Sequence, residues 1–163
     1  MKPVLNDGNM KNIVILLFMF MGFAHDLMAD VPEHLQKPEA SGEIRVRILD
    51  LRNHDGEIML VLFNGKKGFP GKEQYVFRKA SIPAAGNPPT FKFEHIPFGS
   101  YALSVRHDEN GNGKLDTNFI GMPKEGVGTS NNPRTRFGPP SFDDAKFLLD
   151  GDEKELVIHM RYL

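Results

Sequence analysis

The chain has 163 residues, a net charge of -1, 25% charged and 40% hydrophobic side chains, and neither Cys nor Trp. That length suits one domain with a sizeable core, and the balanced charge offers no field for nucleic acid. Without Cys there is no disulfide framework, no thiolate metal site and no cysteine nucleophile.

Ile13 to Ala24 is an unbroken apolar run of 12 residues. As a helix it would span about 18 Å at ~1.5 Å per residue, short of the ~30 Å hydrocarbon core. Lys11 stands before it, and Leu27-Met28-Ala29 behind it ends in a small residue. A positive end, a short apolar run and a small-residue site make a secretory signal peptide, with cleavage expected after Ala29. The mature chain is then periplasmic or secreted and keeps no transmembrane anchor. Residues 1–29 carry Lys2, Lys11, Asp7 and Asp26, so their removal leaves the net charge unchanged. Residues 30–41, with Pro32 and Pro38, are expected to be a disordered leader, and 42–163 the folded domain.

From Gly42 the pattern has period two. Ile44, Val46 and Ile48 alternate with Arg45 and Arg47, a half-buried strand. Asn53-His54-Asp55-Gly56 is turn chemistry, so Glu57 to Phe63 is expected to return as a hairpin partner. That second segment is apolar on both parities, as in a central strand covered on both faces. Asn64 to Gly71 reads as a loop anchored by Phe69. Further strands are expected over Val76–Ile82, Thr90–His95, Gly99–His107, Phe147–Leu149 and Glu155–Tyr162. In the last, Leu156, Ile158, Met160 and Tyr162 share one face. About seven short strands with Gly/Pro turns predict an all-β fold, an antiparallel immunoglobulin-like or prealbumin-like β-sandwich. Tyr101, early in its strand after Pro97-Phe98-Gly99, is placed to hydrogen-bond back over the corner.

Between His107 and Phe147 the alternation stops for 39 residues, of which 15 are Gly, Pro or Asn. Structureless loops beyond about 12–15 residues are uncommon in compact domains and are usually functional or disordered. Phe119, Ile120, Met122, Val127, Phe137 and Phe142 are read as anchors that a free linker would lack. Ser141-Phe142-Asp143-Asp144 fits a capping box, predicting one helical turn through Ala145.

What orders this loop is read from Asp108-Glu109-Asn110-Gly111-Asn112-Gly113-Lys114-Leu115-Asp116. Oxygen side chains stand at its first, third, fifth and ninth places, with Gly at the sixth, which is the spacing of a calcium loop. Asp108, Asn110, Asn112 and Asp116 would supply side-chain oxygens and Lys114 its carbonyl. Hard oxygen donors suit Ca²⁺ better than zinc or copper. The twelfth place is Phe119 where an EF-hand has Glu. Asp116, Asn118 or Glu125 would have to supply the missing oxygens, and affinity is expected to be modest. The alternative is an Asx-rich turn whose side chains bond their own backbone.

The blocks Gly99-Ser100-Tyr101-Ala102, His107 to Asp116, Gly121-Met122-Pro123-Lys124-Glu125-Gly126, Ser130-Asn131-Asn132 and Phe137 to Ala145 stand in order along the chain. Together they resemble a bacterial exported family, domain of unknown function 2141, with the likeness running from roughly Gly42 to Tyr162. The resemblance implies a small secreted or periplasmic β-sandwich, without an established activity or cofactor.

Other constellations are weaker. His107 is read as a histidine bonded to backbone at the core or rim. His95, His107 and His159 lack the spacing of a zinc site. Ser104, Ser130 and Ser141 have no nucleophile-elbow context. No catalytic set emerges, so the favoured reading is a non-enzymatic binding module for another envelope or extracellular component, with a Ca²⁺-stabilised loop at one end. Two alternatives stand beside it. One is a metal-assisted hydrolase of glycan or peptide using His107, Asp108 and Glu125. The other is an apolar-ligand carrier, which would need a cavity between the sheets where Phe and Leu predict a filled core.

Overall fold

The computed structural model describes residues 40–135 and 138–163. Eight strands form two sheets, and the alternation read from the sequence decides which face of each is buried. The first sheet has the order β4-β1-β8: β1 (Ser41–Leu49) lies between β4 (Thr90–Pro97) and β8 (Glu153–His159). β1 runs antiparallel to β4 and parallel to β8. The second sheet has the order β3-β2-β5-β6, built from β3 (Arg78–Pro83), β2 (Glu57–Phe63), β5 (Gly99–Asp108) and β6 (Gly126–Thr129), with β7 (Phe147–Leu149) also paired to β5.

The core is one apolar layer shared by the two sheets. Ile44, Val46 and Ile48 of β1 and Leu156 and Ile158 of β8 pack in the same cluster as Ile58, Leu60 and Leu62 of β2 and Leu103 and Val105 of β5. A smaller cluster of Phe63, Ala102, Phe142 and Ala145 takes the opposite parity of β2 and β5 and is joined by Phe69. It therefore belongs to the outer face of the second sheet, where α1 (Phe142–Ala145) sits. The expected capping box starts this helix: the Asp144 N–H donates to Ser141 Oγ at 3.3 Å and the Ser141 N–H to Asp144 Oδ2 at 3.1 Å. The Ser141 hydroxyl, donating to Asp144 Oδ2 at 2.6 Å, and after it the Ser141 N–H hold the Asp144 carboxyl below its ordinary range. Phe69 stands edge-on to both Phe63 and Phe142, at 5.3 and 5.9 Å, as the expected loop anchor.

The corner before β5 is closed by Tyr101, whose hydroxyl donates to the Pro97 carbonyl at 2.8 Å. β5 then meets three different neighbours along one edge. Its first residues pair with β7 and its last with β6. At the gap between them the Leu103 N–H donates to the buried Ser130 Oγ at 2.9 Å, and the Ser130 N–H donates to the Leu103 carbonyl at 3.0 Å.

Four expectations are corrected. β1 and β2 are not a hairpin, because residues 50–56 carry the chain from the first sheet to the second, and Asn53–Gly56 makes a crossing bend with turn-type residues. β6 lies inside the segment expected to lack strands. Its Gly126 and Gly128 hide the alternation, and they are needed: a Cβ on Gly126 would meet the Tyr162 ring at 2.7 Å, and one on Gly128 would meet Ile158 at 2.6 Å. His95 is exposed, not inward, because a register shift opposite Gly42–Ile44 and a positive φ of 55° at His95 hand the buried place to Ile96. Finally, Phe119, Ile120 and Met122 are exposed, not anchors, with Phe119 at 98%. A tight turn holds them out, in which the Ile120 and Met122 N–H groups donate to Asn118 Oδ1. Phe137 falls outside the described residues, as do the expected signal peptide over 1–29 and nearly all of the expected 30–41 leader.

Candidate functional site

The site is the loop that leaves the C-terminal end of β5. Asp108 is the last residue of that strand, and its carboxylate is only 2% exposed because the loop folds over it. The Asn112 N–H donates to its Oδ1 at 3.1 Å and the Gly113 N–H to its Oδ2 at 2.7 Å. Gly113, at the predicted sixth place, has φ +74°, the conformation that makes the turn. Asn110 Oδ1 accepts from the Asn112 N–H at 3.0 Å, and Asn112 Oδ1 from the Lys114 N–H at 2.7 Å. Both Asn side-chain amides then donate to one oxygen, Asp116 Oδ2, at 2.6 and 3.1 Å.

Asn110 and Asn112 meet Asp116, and Asp108 is bonded by the Asn112 and Gly113 N–H groups, so the four side chains share one turn of the Asx-rich kind set out as the alternative. Lys114 enters the network through its N–H. The arrangement is an Asx-turn network that converges on Asp116, and among the described residues no three His, Asp or Glu side chains stand together as a metal cluster.

Of the three residues named for the missing oxygen ligand, Glu125 is the one whose side chain is buried against the loop. Asn118 spends its Oδ1 on its own turn. Glu125 is 4% exposed, and its Oε2 accepts the Asp116 N–H at 3.1 Å. The other oxygen, Oε1, is buried with no hydrogen-bond partner. No ion pair among the described residues involves Asp108, Asp116 or Glu125. Asp108 and Glu125 are thus two buried carboxylates of one loop, with no lysine or arginine hydrogen-bonded to either. Buried charge in that state is costly unless something positive compensates it.

Arginines clamp the loop from outside the motif. Arg52 grips Glu109 in a two-pronged contact at 2.8 and 2.9 Å and donates to the Lys124 carbonyl at 3.1 Å, tying the loop's two ends together. Burial works to raise the Glu109 pKa, but hydrogen bonds from Arg52 and Asn53 outweigh it and hold the carboxyl below its ordinary value. Arg106 reaches up from the outer face of β5 to the Gly113 carbonyl at 3.0 Å. Neither arginine stands out in sequence, since each clamp joins segments 7 to 72 residues apart.

His107 faces the other way. It is fully buried, with Nδ1 2.8 Å from the Tyr162 hydroxyl and Nε2 2.7 Å from the Asp55 carbonyl. Both ring nitrogens are taken, so His107 is the backbone-bonded histidine expected. It does not converge with Asp108 and Glu125 on one open position. His95 is exposed, and His159 pairs with Asp50 at 2.6 Å, so the three histidines make no common site.

Fold and site together define a small two-sheet β domain carrying a carboxylate- and amide-lined loop at one end of the second sheet. Residues 46–157 match the family model for an uncharacterized protein conserved in bacteria, domain of unknown function 2141. The match spans more than half of the chain, and the protein belongs to that family. No curated protein and no solved structure gives a significant match.

Proposed function

We propose that the protein is an exported β-sandwich binding module whose Asp108–Asp116 loop, completed by Glu125, is held by Ca²⁺. The observation that carries this reading is the Glu125 carboxylate. It is buried, one oxygen has no partner, and the other is bonded to the backbone of the last loop ligand. A hard divalent cation compensates such a set, and every donor within the loop is oxygen. Two Asn amides already direct positive hydrogens at Asp116 Oδ2. Ca²⁺ would compete for that oxygen. With few carboxylates the affinity suits an extracellular module at ~10⁻⁴–10⁻³ M, which agrees with the signal-peptide pattern ahead of the domain.

Thermal melts of the mature protein in Ca²⁺ and in chelator test the ion. At ten times Kd, binding adds about 1.4 kcal/mol, a rise of roughly 4–7 °C for a domain of this size. Glu125→Gln gives the sharper result, because its effect should change sign. In chelator the amide replaces a buried carboxylate whose Oε1 has no hydrogen-bond partner, and the variant melts no lower than wild type. In millimolar Ca²⁺ the variant loses most of the increment. A melting temperature indifferent to Ca²⁺ in both proteins would end the proposal. Export is tested separately by N-terminal sequencing of protein recovered from outside the cytoplasm, with Asp30 expected first and an intact Met1 or Met10 end counting against it.

The exposed loop end is the recognition surface in this reading, as loops carried on rigid sheets usually are. Among the described residues no helix is long and apolar enough to cross a membrane.

A further inference from the structure

The outer face of the second sheet carries a groove of about 810 Å³, in the size range of ~300–1,000 Å³ that small-molecule sites occupy. Its floor is the outward parity of β2, β5 and β6, including Met59, Val61 and Val127. The long loop supplies Leu115 and Met122, and the C-terminal residue Leu163 also lines it. The space between the sheets, where an apolar-ligand carrier was expected to need its cavity, is filled, and this groove is a separate feature of the outer face.

The charged groups in this apolar groove are unevenly matched. Glu73 pairs with Lys79 and His159 with Asp50. Arg106 and Arg161, by contrast, make no ion pair among the described residues. The Arg161 guanidinium donates to the carbonyls of Pro133 and Asn132. Arg106 donates through Nη2 to Gly113 and to the Met59 sulfur, and its Nε is buried with no hydrogen-bond partner. A guanidinium N–H without an acceptor, set among apolar side chains, is the complement of an anion attached to an apolar body.

We propose that this groove binds a long-chain carboxylate, with the acyl chain along Met59, Val61, Val127 and Met122 and the head group on Arg106, supported by Arg161. The two arginines argue for an anion, and the apolar walls argue for a chain longer than a simple organic acid. Arg106 also holds Gly113, so the binding should be measured in chelator, which keeps it independent of the ion loop.

The test is isothermal titration of the mature protein with dodecanoate below its micellar concentration, against dodecyltrimethylammonium and acetate. Saturable one-to-one binding of dodecanoate is expected, with no saturation by the cation of equal chain length or by acetate. Arg106→Gln should weaken dodecanoate at least tenfold, and Val127→Glu, which puts a carboxylate on the groove floor, should abolish it. Arg161→Gln serves the same purpose if Arg106→Gln does not fold. Absence of saturable dodecanoate binding overturns the proposal. So does equal binding of the cationic amphiphile, or arginine and Val127→Glu variants that bind as wild type does.

Discussion

Gly56→Ala is expected to destabilise the protein by about 3–5 kcal/mol, the upper end for a single substitution. Two effects add. Gly56 has φ +66°, where a Cβ costs about 1–2 kcal/mol. The added methyl would also overlap the Asp108 carbonyl oxygen and come within 2.9 Å of the Glu109 carbonyl carbon. Neither neighbour is a flexible tip: both are backbone where β5 turns into the Asp108–Asp116 loop. Gly56 is tied on its other side as well, since its carbonyl accepts the Ala84 N–H at 3.1 Å. The strand end must therefore shift, and Asp108 with it. Denaturant unfolding should show the loss of stability. If the proposed Ca²⁺ site is there, whatever folded protein remains should show a smaller Ca²⁺ increment than wild type, because Asp108 has moved. A variant within 1 kcal/mol of wild type would mean that this junction yields easily.

That contact also shows where sequence reading stops. Asn53-His54-Asp55-Gly56 predicts a bend, and a bend is there, but its residues are the same whether the chain returns to its neighbour or crosses to the other sheet. The choice was made by partners far along the chain: β1 is filled on both edges by β4 and β8. Local signals with their own geometry were legible. The Ser141 capping box, the Tyr101 corner and the alternation of β8 each depend on residues within a few positions. The Asp108–Asp116 turn, whose Asn side chains bond backbone two residues on, was legible for the same reason. β6 was illegible because Gly126 and Gly128 are selected by how closely Tyr162 and Ile158 approach, which no window around β6 reveals. Glu125 was only one of three candidates in sequence, and its orphaned oxygen is a fact of burial. Arg52 and Arg106 are ordinary surface residues until the fold brings Glu109 and Gly113 to them.

The second large effect concerns His107, and it tests how the loop is supported from below. In the neutral ring the Asp55 carbonyl can only accept, so Nε2 carries the proton and Nδ1 accepts from the Tyr162 hydroxyl. The Tyr162 oxygen in turn accepts the Arg52 N–H at 3.1 Å, while the Arg52 guanidinium lies 4.5 Å over the tyrosine ring. Burial pushes the Tyr162 pKa up, which keeps its hydroxyl proton available as a donor. One imidazole thus joins the bend at Asp55, the C-terminal tail and the arginine that clamps Glu109. His107→Leu keeps the bulk but strands the Asp55 carbonyl and the Tyr162 hydroxyl, and should cost about 2–4 kcal/mol. Tyr162→Phe removes one of the same bonds and should cost about 1–2 kcal/mol. Because both act through one hydrogen bond, the double variant should fall short of their sum by about 1 kcal/mol or more in a denaturant-unfolding cycle. Additive losses would mean that the tail and the ring contribute separately. In that case Arg52, and the loop it clamps, would not depend on the buried histidine.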